Sequence, residues 1–429
     1  MKKKYRIILY TSIFLLCVVA SIILVVKKSN SVYEEESKPK VVKHKSMLSM
    51  NLEQTAGAGD YKTVTQSKWP TEGYKFNAEL SRCENGSTLS WDDTKKAVIV
   101  SGNLSDKCYV YFDIYQPTLA EYIKSQYTGT QGENNIYYHD SDLANGAGDN
   151  SYRYAGANPN NFVCFGSDTS PCPTDNLYRI IGVFGENYHG VTGKQLVKLI
   201  KYDYMTTDEL GTDGDYSQTY KEWGMDSTYK GTYGDGERIG VYYWNYKATG
   251  SATNTWSTSL LNKTNLNTNF INNIGTTWAN KIATVTWKVG GNTWANIGTK
   301  TSSVAYTNEI TNPVTTNTTD NATTYSAKIG LMYVSDYGFA ASPDAWTLTM
   351  SSYNNTTATN NNWMYMGLYE WTISRFADIS SSALGVLDGG YVLDYGVDLN
   401  NGVRASFNLE SSVSYVSGSG SMSDPIVIN

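Results

Sequence analysis

The sequence predicts an α+β protein built from an N-terminal transmembrane helix, a small disulfide-closed β module and a large mixed domain. Three observations carry this. Ile7–Val26 is a run of 20 residues without a charge, and about 20 apolar residues span a bilayer. Short β-branched and aromatic segments recur between residues 61 and 116, separated by turn residues and accompanied by two cysteines. After Gln116-Pro117, strand-like alternation mixes with stretches of helical spacing to the C-terminus. The expected divisions are an anchor at 1–28, a stalk at 29–60, a β module at 61–116 and a large domain at 117–429.

Composition narrows the class. Charged residues are 17% and aromatics 13%, with 35 Tyr and 11 Trp. That balance fits a β-rich, loop-rich globular chain and argues against a coiled coil or a disordered one. The first 28 residues hold six of the 34 basic groups and none of the 40 acidic ones, leaving 28 against 40, or −12, for the rest. A chain so acidic repels nucleic acid, which is not an expected partner.

The run Ile7–Val26 is preceded by Met-Lys-Lys-Lys-Tyr-Arg and followed by Lys27-Lys28. It exceeds the roughly 7–15 apolar residues of a cleavable signal core, so an uncleaved membrane anchor is expected. The competing reading is a long signal peptide cut near Ala20-Ser21. Basic residues flank the run on both sides, with Lys27, Lys28, Lys38, Lys40, Lys43 and Lys45 after it, so charge does not decide orientation. The cysteines do. Cys83, Cys108, Cys164 and Cys172 fall as two local pairs, 25 and 8 residues apart. Four cysteines allow three pairings, and proximity favours Cys83–Cys108 and Cys164–Cys172. A zinc site is the rival, but neither pair is Cys-x-x-Cys, and only three histidines exist, at His44, His139 and His189. Disulfides place the bulk of the chain outside the cytoplasm.

Residues 29–60 lack apolar periodicity and read as a stalk. Tyr74-Lys-Phe, Thr88–Trp91, Lys96–Val100 and Cys108–Asp113 read as strands, and a Cys83–Cys108 bridge would close a core too small to hold alone. Leu119–Tyr127 reads as a short helix and 128–160 as loop. Asn161–Phe165 and Leu177–Phe184 form an expected hairpin, with Leu196–Ile200 as a third strand. Residues 203–237 carry nine acids and two lysines. Asp213, Asp215, Asp235 and Glu237 are weak calcium candidates there, because calcium takes oxygen ligands from Gly-rich loops, although the EF-hand spacing fails. Otherwise this is a solvated acidic loop, and no other cofactor is expected. The Asn- and Thr-rich stretch 249–325 has a helical spacing after Trp256 and a second helix running into a strand between Trp278 and Trp287.

Towards the C-terminus, Ile329–Tyr337 reads as a buried strand ending at a Ser cap. Then come Trp371-Thr-Ile-Ser-Arg375, Gly385-Val-Leu-Asp-Gly-Gly-Tyr391 and Gly402-Val-Arg404-Ala-Ser-Phe407. With Trp256-Ser-Thr-Ser-Leu-Leu upstream, this order of blocks resembles a domain common in Gram-positive surface proteins. That domain has a Trp-x-Ser-x-Leu helix, a Leu-Leu-Ser strand end, a Trp-Trp-Leu-Arg-Ser block and a terminal Gly-Val-Arg-Pro-Ala strand. It is similar to the formylglycine-generating-enzyme, or sulfatase-modifying-factor, variant of the C-type-lectin-like fold. The resemblance spans about residues 150–410 and implies that fold for the large domain. Thr372 stands where the family has its second Trp, and Ala405-Ser406 replaces Pro-Ala. No cysteine follows Cys172, so the oxidative chemistry of the enzymes is not expected. Arg375 and Arg404 are expected to anchor buried hydrogen-bond networks, since a guanidinium offers five fixed donors. The tail from Val416 to Ile428 reads as a closing strand pair.

The expected function is that of a membrane-anchored extracellular binding protein whose ligand is a glycan, a host molecule or a partner protein. The alternative is a passive structural component of the envelope. An extracellular hydrolase finds little support: His139 and His189 are candidate bases, but no Gly-x-Ser-x-Gly or His-Glu-x-x-His accompanies them.

Overall fold

The computed structural model describes residues 48–65, 68–70, 73–223, 229–234, 236–297, 300–315, 322–353 and 361–429. The expected anchor at 1–28 and most of the expected stalk lie outside these. Among the described residues no helix is long and apolar enough to cross a membrane. The α+β, lectin-like class is corrected: the protein is mostly β-sheet, with 21% helix. The physical reason lies in the segments of helical spacing. Their Asn and Thr side chains compete for backbone hydrogen bonds and give poor helix formers, so the helical pieces are short. The longest stretch, Leu261–Phe270 continuing into Ile271–Ala279, starts as a wide π-helix and breaks at Gly275, whose φ is 76°. β-branched and aromatic segments meanwhile pair into sheets.

Two compact units divide between Gln116 and Pro117. The first contains β1 (Leu48–Glu53), β2 (Tyr61–Val64), β3 (Tyr74–Phe76), β4 (Arg82–Cys83), β5 (Thr88–Asp92), β6 (Ala97–Ser101) and β7 (Cys108–Ile114). Its main sheet runs β2-β1-β7-β3, with β4 also on β7, while β5 and β6 form a hairpin. β1, in residues read as stalk, is central and parallel to β7. Its Met50 and Leu52 join Val98, Val110 and Phe112 in the core, with the rings of Trp69, Phe76 and Trp91 within 5.9 Å of Phe112. Cys83 sits opposite Cys108 in the β4–β7 register, and the two form the expected disulfide.

The second unit holds β8 (Ile136–His139), β9 (Ser151–Tyr154), β10 (Phe162–Cys164), β11 (Leu177–Phe184), β12 (Leu196–Lys201), β13 (Tyr216–Thr219), β14 (Gly240–Tyr243), β15 (Val285–Lys288) and β16 (Thr324–Ala327). After these come β17 (Ile329–Gly330), β18 (Glu370–Arg375), β19 (Ser382–Val386), β20 (Val392–Gly396), β21 (Asn400–Gly402), β22 (Ser406–Asn408), β23 (Tyr415–Ser417) and β24 (Val427–Ile428). One sheet runs β17-β22-β12-β11-β9-β8 with β10 on β11; another runs β13-β14-β21-β18-β19-β20. Both contribute to one hydrophobic core. β11 and β12 are buried at every position and carry its middle. The hairpin loop before β11 is closed by the Cys164–Cys172 disulfide. The tail closes as the β23–β24 pair.

The Gly402–Phe407 block does not form one strand. β21 belongs to one sheet and β22 to the other, so Val403-Arg404-Ala405 is the crossing between them. Its carbonyls stay paired, Val403 accepting from the Met205 amide at 2.8 Å and Ala405 from the Lys201 amide at 2.9 Å. Gly402 is small for a reason: a Cβ there would stand 2.7 Å from Tyr204 Cδ1 and 2.9 Å from Tyr220 Cε2.

Candidate functional site

Trp256, Trp371, Arg375, Gly402 and Arg404 are all buried; Trp256 and Trp371 share one hydrophobic core, while Arg404 and Arg375 serve opposite ends of β18. At the sheet crossing, Arg404 grips Glu370 with both ends of its fork, Nε to Oε1 at 2.8 Å and Nη2 to Oε2 at 2.9 Å, and Nη2 also donates to the Met364 carbonyl at 2.6 Å. Burial works against the guanidinium charge, and the Glu370 carboxylate, with Tyr204 and Asp203, outweighs it and holds the pKa above the ordinary arginine value. Trp371 follows Glu370 in β18, and its Nε1 donates to the Tyr242 carbonyl at 2.8 Å. Arg375, at the other end of β18, donates to the Val314 carbonyl at 3.3 Å, and burial lowers its pKa to about 10. Trp256 packs on Trp244 with ring centroids 4.9 Å apart, and Trp244 Nε1 donates to the Thr372 carbonyl at 2.9 Å. Together with Gly402, these residues hold strands in place and offer no surface.

The acidic loop is where an accessible site forms. Asp215 is only 1% exposed. Its Oδ2 accepts from the Leu261 amide at 2.8 Å and its Oδ1 from the Tyr246 amide at 3.1 Å, so it caps the start of the Leu261–Phe270 helix. Burial pushes its pKa up despite these bonds. Glu237 pairs with Lys221 at the surface, and Asp235 lies outside the described residues. Among the described residues no group of three or more His, Cys, Asp or Glu could hold a metal ion. Among the described calcium candidates, Asp213 lines a cleft.

That open cleft, of about 590 Å³, is lined by Asp208, Glu209, Gly211, Thr212, Asp213, Asn269, Asn272 and Asn273. Buried Asn265 fastens its two walls. The Asn265 amide donates to the Leu210 carbonyl at 2.9 Å and the Asp213 carbonyl at 3.1 Å, and its Oδ1 accepts from the Asp215 amide at 3.0 Å. Asn269 repeats the grip at the rim, donating to the Leu210 carbonyl at 2.9 Å and to Asp213 Oδ1 at 2.7 Å. Gly211, with φ 78°, allows the loop to approach, since a Cβ there would come 2.6 Å from Asn269 Nδ2. Glu209 is tied to Lys201 and caps Thr206, whereas the Asp208 side chain is 80% exposed. The result is a fixed rim of amides and carboxylates with free lone pairs, able to accept hydrogen bonds from hydroxyl, amide or ammonium donors. Of these lining residues the sequence marks Asp213 alone, as an acid in a Gly-rich loop; the asparagines come from a segment more than 50 residues away, and nothing local marks them.

Both described histidines sit in the interior. His139 is fully buried between the rings of Phe339 and Trp346, and its Nδ1 accepts from the Ala147 amide at 3.0 Å. His189 Nδ1 accepts from the Val191 amide at 3.1 Å, with Nε2 3.1 Å from the Phe184 carbonyl. Neither reaches the cleft. At the edge of the seven-stranded sheet, half-buried Tyr127, Tyr138 and Tyr152 gather, with Tyr138 and Tyr152 stacked at 4.6 Å. Strand β8 is closed to pairing there by Gln131, whose side chain donates to the Tyr138 carbonyl at 2.8 Å and accepts from its amide at 2.9 Å. Comparison with known proteins finds no matching family model, no similar curated protein and no similar solved structure.

Proposed function

We propose that this protein is a non-catalytic binding module that works outside the cytoplasm and takes a hydroxyl-rich glycan, uncharged or amino-bearing, in the cleft between residues 208–213 and 269–273. The cleft is the observation that carries the reading. Its lining is polar side chains and backbone, fixed by Asn265 and Asn269, and it lacks a histidine, cysteine or activated serine. Rigid acceptors spaced along an open groove suit a ligand that presents many O–H donors. The carboxylates of Asp208, Glu209 and Asp213 repel sulfated and sialylated sugars. The two disulfides support an oxidising compartment. The charge-free run Ile7–Val26 supports delivery to a membrane, and the Trp371 and Gly402-Val-Arg404 blocks support kinship with Gram-positive surface proteins.

A glycan array with the purified protein, with and without calcium, tests this. The expected outcome is calcium-independent binding of neutral or amino sugars that is lost in Asn272→Ala and Asp208→Ala, two lining residues whose side chains make no hydrogen bond that holds the loop among the described residues. Binding confined to anionic glycans, or binding that survives both substitutions, overturns the cleft assignment. Binding to no glycan favours the passive envelope component instead.

A further inference from the structure

Away from the cleft, the second unit buries a lysine against an aspartate with neither exposed to solvent. Lys198, in the middle of β12, and Asp336, in the first turn of the helix Val334–Ala340, both have fully buried side chains, and Lys198 Nζ stands 2.6 Å from Asp336 Oδ2. The two are 138 residues apart in sequence. Around Nζ lie the rings of Tyr333 at 4.3 Å, Tyr188 at 4.8 Å and Trp287 at 5.0 Å. Glu309, 1% exposed, accepts from the Val334 and Ser335 amides at 3.1 and 3.0 Å. As a structural ion pair this is a poor arrangement, because desolvating two charges in an aromatic shell costs about as much as their attraction returns.

The geometry has two further features that an ion pair does not require. The Tyr188 hydroxyl touches both partners, at 2.6 Å from Lys198 Nζ and at 2.7 and 2.9 Å from the two Asp336 oxygens. Arg153 donates through Nη2 to Asp149 at 2.7 Å, while its buried Nη1 has no hydrogen-bond partner among the described residues and lies 3.8 Å from Asp336 Oδ1. An unspent donor beside a carboxyl oxygen is placed where an oxyanion would form.

We propose that Lys198 and Asp336 condense into an intramolecular amide, a covalent cross-link between β12 and the helix Val334–Ala340. The ammonium first passes a proton to the carboxylate it touches at 2.6 Å, and burial, which lowers the Lys198 pKa against the pull of Asp336, loosens that proton. The Nζ lone pair then attacks Asp336 Cγ, forming the N–C bond and a tetrahedral oxyanion facing Arg153. Tyr188 relays a second proton from Nζ to the departing oxygen. The C–O bond breaks, one water leaves, and a neutral amide remains. The ammonium has lost two protons and the carboxylate one oxygen, so the step balances as water and needs no oxidant or outside reagent. It removes both buried charges, and no substrate has to reach the site.

The test is peptide mapping of the whole reduced and denatured chain after trypsin. The expected product is Gln195–Lys201, uncut after Lys198, joined to Ile329–Arg375, and lighter than the two separate peptides by one water. Recovery of free Leu199–Lys201 with unmodified Ile329–Arg375, and no joined product, overturns the proposal. Lys198→Met removes the amine and should abolish the joined peptide. Tyr188→Phe keeps the ring and removes the relay, so the joined peptide should accumulate on the order of a hundredfold more slowly after refolding; an unchanged rate would remove Tyr188 from the mechanism. Because the readout is mass in the unfolded chain, it stands apart from glycan binding, and either result can fail alone.

Discussion

Replacing Arg404 with alanine leaves the Glu370 carboxylate buried, 2% exposed, without its two guanidinium bonds. An uncompensated buried charge costs about 3–5 kcal/mol, and here the loss falls on the crossing that holds two sheets together. The expected result is that Arg404→Ala yields no cooperative unfolding transition for the second unit, whereas Arg404→Met combined with Glu370→Met recovers one. A stably folded alanine variant, read by urea denaturation, contradicts this. His139 makes a different residue-scale demand. Burial, with Arg153 nearby and Asp149 only partly compensating, holds its pKa well below the ordinary 6.5. The unfolded chain therefore binds a proton that the folded one refuses. Stability is full above about pH 6.5 and declines as pH falls through the window between the unfolded and folded values, by at most about 1.4 kcal/mol per pH unit from this group. The urea midpoint should drop between pH 7.5 and 5.5 in the native protein, and His139→Phe, filling the space between Phe339 and Trp346, should flatten that drop.

At the scale of elements, legibility followed how far each strand satisfies itself locally. β5, β6 and β7 alternate or are β-branched and lie between turn residues, and they fold where the pattern places them. β10, β11 and β12 are apolar runs whose disulfide and turns set the hairpin order. β8 and β9 sit inside the Gly-, Asn- and Asp-rich span read as loop. Their pairing of Tyr137 with Arg153 and of His139 with Ser151 is made by the neighbouring β11 rather than by their own pattern. β11 can reach β9 because Gly182 has no side chain; a Cβ there would run into the Tyr152 carbonyl. The Trp256 region shows the opposite error. Its spacing is helical, and a helix forms, but it opens as a π-helix and breaks at Gly275, too irregular to support the mixed class expected from that spacing. The cleft was half legible. Asp213 was visible as an acid in a glycine-rich loop, but Asp215 looked identical to it and is spent on capping a helix. Only the fold distinguishes the two.

Across the whole molecule, each unit has its own apolar core among the described residues: the first unit's cluster centres on Met50, Leu52, Val98, Val110 and Phe112, and the second's clusters are built from residues from Leu119 onward. They depend on their disulfides to different degrees. Cys83–Cys108 closes a loop of 25 residues, which in the chain-entropy view contributes about 3.5 kcal/mol. A core of five buried side chains with their partly buried neighbours belongs to the class of small domains whose net stability is about 3–5 kcal/mol, so this bridge supplies most of the margin. Cys164–Cys172 spans 8 residues in a unit with a far larger core, and its contribution of about 2.5 kcal/mol is a modest share. Reduction under native conditions should therefore unfold the first unit and spare the second. Limited proteolysis with reductant should cut within residues 61–116 while a fragment beginning near Pro117 persists, and Cys83→Ser with Cys108→Ser should reproduce the pattern without reductant. If residues 61–116 stay protected in both experiments, the first unit's sheet and aromatic packing around Phe112 suffice alone, and the disulfide marks the compartment rather than holding the fold.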